Sequence, residues 1–126
     1  MAKILLIDDS SLSRRILRSI LQLQHHQIIE APDGISGIES YLLEKPDLVM
    51  LDLLMTGMQG LEVLEKLKEL DPLVQVIVAT ADLQNWTKKM VEEAGAKGFV
   101  NKPFVAHIIM DAVNSVLQGG AYNVAQ

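Results

Sequence analysis

The chain has no cysteine, which excludes a disulfide framework and a thiolate metal site and suits a reducing compartment. Basic residues are also scarce: 11 Lys and Arg stand against 16 Asp and Glu, a formal net charge of -5, and no local basic stripe compensates. That balance disfavours direct binding to nucleic-acid phosphates. No apolar run approaches the roughly 20 residues needed to cross a bilayer. The first apolar run, Ile4-Leu5-Leu6-Ile7, meets Asp8 too soon to be the core of a signal peptide. The expectation is therefore a soluble, cytoplasmic protein without membrane insertion. Repeats, low-complexity tracts and internal linkers are absent as well. What remains is 126 residues, 49% of them hydrophobic, enough for one core and one domain.

The chain is organised around Leu48-Val49-Met50-Leu51-Asp52, an apolar run that ends abruptly in a carboxylate. Bounded by Lys45-Pro46-Asp47 and Gly57, it reads as a strand buried on both faces, the kind found in parallel sheets. Ile4 to Ile7 repeats the pattern and is closed by Asp8-Asp9; Val74 to Ala79 ends in Thr80, and Lys97 to Val100 ends in Asn101-Lys102-Pro103. Gln27-Ile28-Ile29-Glu30, with polar ends, suits a sheet edge.

Helical periodicity fills the intervals. Leu12, Ile16, Ile20 and Leu23, beside Leu17 and Leu21, mark a first apolar face with Arg14, Arg15 and Arg18 opposite; Ile35, Ile38 and Leu42 mark a second, with Gly37 tolerated inside. Leu61, Leu64 and Leu67 mark a third helix, a fourth spans about Asn85 to Ala94 with Gly95 after it, and a fifth spans Phe104 to about Leu117. Gly119-Gly120 ends the last. The domain is read as residues 1–118, with 119–126 a tail or the start of a linker. Five strand-helix units in strict alternation imply an α/β fold, a doubly wound parallel sheet with helices on both faces.

Parallel strands place their C-terminal ends along one edge, where ligands bind in open α/β sheets. Asp8 with Asp9, Asp52, Thr80 and Lys102 therefore converge. An aspartate at a strand end is often only a turn former or a helix cap, a lone lysine a solvated charge, and a threonine there a backbone-bonded hydroxyl. The whole set at separate strand ends is a different matter. Crowded carboxylates repel unless a cation intervenes, and all-oxygen ligands suit Mg²⁺ or Mn²⁺ rather than zinc. A metal, an ammonium and a hydroxyl together hold the oxygens of a phosphoryl group, and the central Asp52 is then placed as the nucleophile that accepts it.

On these residues the chain, from Lys3 to about Leu117, resembles the receiver domains of two-component response regulators, especially the stand-alone chemotaxis type. The resemblance implies a flavodoxin-like sheet of five strands in the order 2-1-3-4-5 with five helices. It implies that Asp52 is phosphorylated from a phosphohistidine of a sensor histidine kinase or phosphotransfer protein. Mg²⁺ is then bound by Asp9, Asp52 and the backbone carbonyl of Leu54, with Asp8 assisting through water; Thr80 and Lys102 hold phosphoryl oxygens. Phe99 corresponds to the switch aromatic and Lys102-Pro103 to a cis peptide. Phosphorylation would draw Thr80 towards the phosphoryl group, let Phe99 rotate inward, and change the surface of the fourth helix, fifth strand and fifth helix for an output protein or domain. Trp86 lies where that surface begins and would anchor a partner, or fold onto its own helix.

Two departures stand out. Thr56 occupies a position where these receivers commonly have proline. At the positions that tune phosphoryl lifetime the chain has Leu54, which would obstruct an attacking water, and Asp82, which would orient or repel it. The resemblance implies a switch with only intrinsic autophosphorylation and autodephosphorylation, not a turnover enzyme. Alternatives are a receiver-like docking module that is never phosphorylated, or the receiver of a longer regulator with an output domain. A phosphatase of the haloacid dehalogenase type would want a second aspartate where Leu54 stands, and Asp8-Asp9 would repel the phosphate of a flavin mononucleotide. His25, His26 and His107 lack ligand spacing and read as solvated; Met55 and Met58 read as core filler bordering the pocket.

Overall fold

The apolar runs become the strands of one parallel sheet. A computed structural model describes residues 1–81 and 85–123, the side chains of residues 85, 86 and 123 excepted. In chain order the elements are β1 (Lys3–Ile7), α1 (Ser11–Gln22), β2 (Gln27–Ala31), α2 (Gly34–Glu44), β3 (Leu48–Leu51), α3 (Gly60–Leu70), β4 (Val76–Thr80), α4 (Asn85–Glu93), β5 (Gly98–Asn101), α5 (Ala106–Leu117) and β6 (Tyr122–Asn123). The sheet order is β2-β1-β3-β4-β5-β6, so the first five strands follow 2-1-3-4-5 with β2 at an edge. Among the described residues no helix is long and apolar enough to cross a membrane.

β6 lies within residues 119–126, the segment read from the sequence as a tail or the start of a linker. Tyr122 and Asn123 lie parallel to β5, opposite Gly98 and Phe99, and the Tyr122 amide donates to the Lys97 carbonyl at 2.9 Å. β5 would otherwise present unpaired backbone groups. Gly98 eases the approach, since a Cβ there would lie a tight 3.2 Å from the Tyr122 carbonyl oxygen. A strand of two residues has no hydrophobic period from which it could be read.

Alternation along the strands builds two cores. Leu5, Ile7, Val49, Leu51, Val76, Val78 and Phe99 pack with Tyr41 of α2, Val63, Leu64 and Leu67 of α3, and Val91 of α4. Ile4, Leu6, Leu48, Met50, Ile77, Ala79 and Val100 pack with Leu17, Ile20 and Leu21 of α1 and with Ile109, Ala112, Val113 and Val116 of α5. Both faces are covered, and for that reason these strands are apolar without interruption.

Two helix faces differ from expectation. In α1 the buried residues are Leu17, Ile20 and Leu21, whereas Leu12, Ile16 and Leu23 are exposed. The apolar residues of α1 form two overlapping stripes, and the one that packs on the sheet and α5 is Leu17, Ile20 and Leu21. In that rotation Glu30 of β2 accepts from Arg14 Nε at 2.9 Å and from Arg18 Nε at 2.6 Å. In α2 the buried line is Gly34, Gly37 and Tyr41, and Ile35 and Leu42 face solvent. Gly37 is required there: a Cβ would lie 2.6 Å from Ile7 Cδ1, so α2 rests on β1 through bare backbone. α5 starts at Ala106, two residues later than expected, and Val105 is exposed.

Candidate functional site: an acidic pocket at the carboxyl edge of the sheet

β1 and β3 are neighbours in register, with Ile7 opposite Leu51, so the residues that follow, Asp8 and Asp52, leave the sheet side by side. The Asp52 amide donates to the Ile7 carbonyl at 3.0 Å and continues the ladder one step past the strand. By alternation Asp8 follows the face of Leu6, Asp52 that of Met50 and Lys102 that of Val100, so all three share the α1 and α5 side. One carboxylate oxygen from each of Asp8, Asp9 and Asp52 lies within 4.8 Å of the others. Asp8 and Asp52 are only 2% and 4% exposed, while Asp9 is open to solvent.

Each carboxylate has a fixed donor. Ser10 N–H donates to Asp8 Oδ1 at 2.9 Å, Leu54 N–H to Asp52 Oδ1 at 3.1 Å, and Thr56 N–H to Asp9 Oδ2 at 3.1 Å. Lys102 Nζ bridges the buried pair, 3.0 Å from Asp8 Oδ2 and 3.1 Å from Asp52 Oδ2. Arg14 Nη1 donates to the Asp8 backbone carbonyl at 2.6 Å.

Burial pushes the Asp8 carboxyl above its ordinary value, and the Asp52 charge adds to that, against the opposing Ser10 amide and Lys102. Burial works against the Lys102 ammonium too, but its hydrogen bonds to Asp8 and Asp52 hold its pKa above the usual lysine value. The pocket holds three acids against one lysine. Its donors are all oxygen, two carboxylates fixed in the sheet edge and one reachable from solvent. That donor set fits a hard divalent cation such as Mg²⁺, which retains part of its water shell.

Thr80 is the last residue of β4 and is fully buried; its carbonyl accepts from the Lys102 amide at 2.9 Å. It shares the alternation of Val76 and Val78, the side on which Phe99 packs. Phe99, opposite Val78 in the β4–β5 pair, is 3% exposed, with Lys88 Nζ 5.6 Å from its ring centroid. The Lys102–Pro103 bond is cis. The structure thus gathers Asp8, Asp9, Asp52 and Lys102 into one cluster and seats Thr80 and Phe99 on the adjoining strands. The Leu54 side chain is exposed beside the cluster. Asp82 and the Trp86 side chain lie outside the described residues.

Sequence reasoning missed Gly60 and Arg14. A Cβ on Gly60 would lie 2.3 Å from the Asp52 carbonyl oxygen and 2.5 Å from Leu53 Cα, so α3 starts against the backbone that follows β3. The available signal was a glycine at the first position of a helix, where helix propensity disfavours it. Arg14 was read as a charge on the solvent side of α1 and instead reaches over the strand end.

Comparison with known proteins agrees with this geometry. Residues 4–114 match the family described as response regulator receiver domain. Chemotaxis protein CheY of Halobacterium salinarum is 39% identical over 118 residues, covering 93% of this chain and 98% of that protein. Sporulation initiation phosphotransferase F of Bacillus subtilis is 34% identical over 115 residues, covering 91% of this chain and 93% of that protein. A two-component response regulator of the LuxR family from Aurantimonas sp. superposes with a TM-score of 0.92 at 25% identity, over 97% of this chain and 89% of that one. A CheY-like receiver domain protein from Methanospirillum hungatei shares the fold, with a TM-score of 0.88 at 23% identity over 94% and 95% of the two chains. With its carboxylates at the ends of β1 and β3 and its lysine after β5, the chain belongs to the response regulator receiver domain family of two-component systems and is CheY-like within it.

Proposed function

We propose that Asp52 is the phosphoacceptor of a phosphorelay and that the chain works as a phosphorylation-driven switch, not as a turnover enzyme. The observation that carries this reading is the position of Asp52. It is buried at the end of the central strand, bonded to Lys102 Nζ at 3.1 Å, and faces two further carboxylates. An Asp52 carboxylate oxygen would attack the phosphorus of a phosphohistidine on a sensor kinase or phosphotransfer protein. The new P–O bond forms as the P–N bond breaks, and the imidazole leaves with its electron pair. Asp8, Asp9, Asp52 and the Leu54 carbonyl would hold Mg²⁺, which when bound supplies the positive charge that offsets the phosphoryl oxygens. Lys102 and the Thr80 hydroxyl would take the remaining oxygens. Such partners place the protein in the cytoplasm.

Roughly two added negative charges at Asp52 favour the arrangement in which Thr80 is drawn in. Phe99 is already inside in this structure, so on this reading phosphorylation depopulates the outward position of its ring. The face formed by α4, β5 and α5 is then presented to an output protein or domain. Intact mass spectrometry after incubation with a small phosphodonor and Mg²⁺ tests the assignment. One labile phosphoryl group is expected on the unaltered chain and none on Asp52→Asn; labelling retained in Asp52→Asn would place the acceptor elsewhere.

A further inference from the structure

We infer that the backbone N–H of Thr56 is a positioning group for the acidic pocket: it ties Asp9 to the β3–α3 loop and holds the solvent-facing oxygen donor in place before a divalent ion arrives. The inference rests on the divalent-cation reading of the pocket and adds to it a role for a residue outside the ligand set.

Asp9 differs from its two neighbours in having no cation of its own. Asp8 and Asp52 share Lys102, whereas among the described residues Asp9 has no ion pair. Its carboxylate is exposed and within 4.8 Å of two others, so turning outward into water would relieve repulsion. Two ties oppose that. Thr56 N–H donates to Asp9 Oδ2 at 3.1 Å, across a sequence separation of 47. The peptide joining Asp8 to Asp9 is held by Arg14 Nη1 on the Asp8 carbonyl at 2.6 Å, and Arg14 is in turn fixed by Glu30 at 2.9 Å.

The loop carrying the Thr56 donor is itself anchored. Met55 is buried in the core, Gly57 turns the chain at a φ of 78°, and Met58 packs over Gly34, where a Cβ would meet the Met58 Cβ at 3.0 Å. The donor is therefore stationary and the carboxylate is the part that is restrained. Only the amide is needed, so any residue except proline, which lacks an N–H, can supply it. At residue 56 this chain thus places a hydrogen-bond donor on a carboxylate of the cation cluster.

Magnesium titration of the full chain by isothermal calorimetry tests the role, with Thr56→Ala and Thr56→Pro beside the unaltered protein. Thr56→Ala should bind as the unaltered chain does. Thr56→Pro should bind about three- to tenfold more weakly, the range for losing one hydrogen bond and the ordering it provides. In metal-free protein, amide exchange at residue 56 should be slower in the unaltered chain than in Asp9→Ala, a comparison that involves no proline. Equal affinity in Thr56→Pro, equal weakening in Thr56→Ala, or equal exchange in Asp9→Ala would each overturn the inference. Absence of magnesium uptake by the unaltered chain would overturn the cation reading itself and the role assigned here with it.

Discussion

At their N-terminal ends β1 and β3 meet solvent through opposite charges set in pairs; at their C-terminal ends the same two strands force like charges together. Lys3 N–H donates to Asp47 Oδ2 at 2.8 Å, and Lys3 Nζ reaches the Glu44 carbonyl at 3.0 Å and its carboxylate at 3.5 Å. These partners are exposed and local, and such pairs contribute little to stability. At the other end two buried carboxylates and a third beside them share one lysine. One edge is closed off; the other is left electrostatically unbalanced, and the imbalance suits it to a divalent cation. The lesson is that the charge at a strand end is informative when it is buried and incompletely compensated, not merely when it is present.

The largest expected effect tests that contrast directly. Lys102→Met leaves Asp8 and Asp52 buried without their cation and should lower the unfolding free energy in metal-free buffer by about 3 kcal/mol. Lys3→Met at the opposite edge should cost less than about 1 kcal/mol. Urea denaturation of both variants checks this, and equal losses would erase the distinction between the two ends. Next in size is Gly60→Ala, whose new Cβ meets backbone and not a movable side chain. A loss of about 2 kcal/mol is expected in the same assay, with slower labelling of Asp52 by a small phosphodonor.

A smaller effect of opposite sign sharpens the comparison. Asp8→Asn removes a charge that burial already disfavours and should stabilise the metal-free chain by about 1 kcal/mol while weakening magnesium binding. Asp47→Asn, which weakens an exposed bond to the Lys3 amide, should leave stability unchanged or slightly reduced. Thermal melts with and without magnesium separate the two.

The smallest expected effect lies in the pH dependence of the anchor behind the pocket. Burial opposes ionisation of Glu30, but Arg18 and Arg14 outweigh it and hold its carboxyl below the usual value. A carboxyl lowered in the folded state contributes stability above its unfolded pKa, near 4.5, and loses it as pH falls through the folded value. Glu30→Gln should therefore cost a small part of the stability at pH 7 and flatten the acid side of the curve, the two proteins converging as pH falls below about 4.5. His26 shapes the same side at the opposite edge. Burial, then the N-terminal ammonium, lower its pKa, and its Nδ1 accepts a hydrogen bond from the Ala2 amide. The unfolded chain therefore binds that proton first, and stability falls as pH drops below about 6.5.

The strands were legible because buried parallel strands need uninterrupted apolar runs, as in Leu48-Val49-Met50-Leu51 and Val76 to Ala79, whereas their order came from the family resemblance. The acid and lysine positions were legible because parallel strands share one carboxyl edge. The faces of α1 and α2 were not. Leu12 and Leu17 are equally apolar in sequence, and only packing against the sheet and α5 decides which turns inward. Gly37 looked tolerated and proved to be a contact, because its purpose lies in Ile7, thirty residues earlier. The donors that hold Asp8, Asp9 and Asp52 are backbone amides of Ser10, Thr56 and Leu54, which no side-chain pattern reveals.

By itself, then, the sequence determined the α/β class, the parallel sheet and the convergence of Asp8, Asp9, Asp52 and Lys102 beside the strand end that carries Thr80, because strand burial and strand direction are properties of local pattern. Only the tertiary structure decided which acids share Lys102, which one is left to Thr56, and that Tyr122–Asn123 returns to the sheet. Those are matters of distance between residues far apart in the chain, and distance is set by how helices settle on strands.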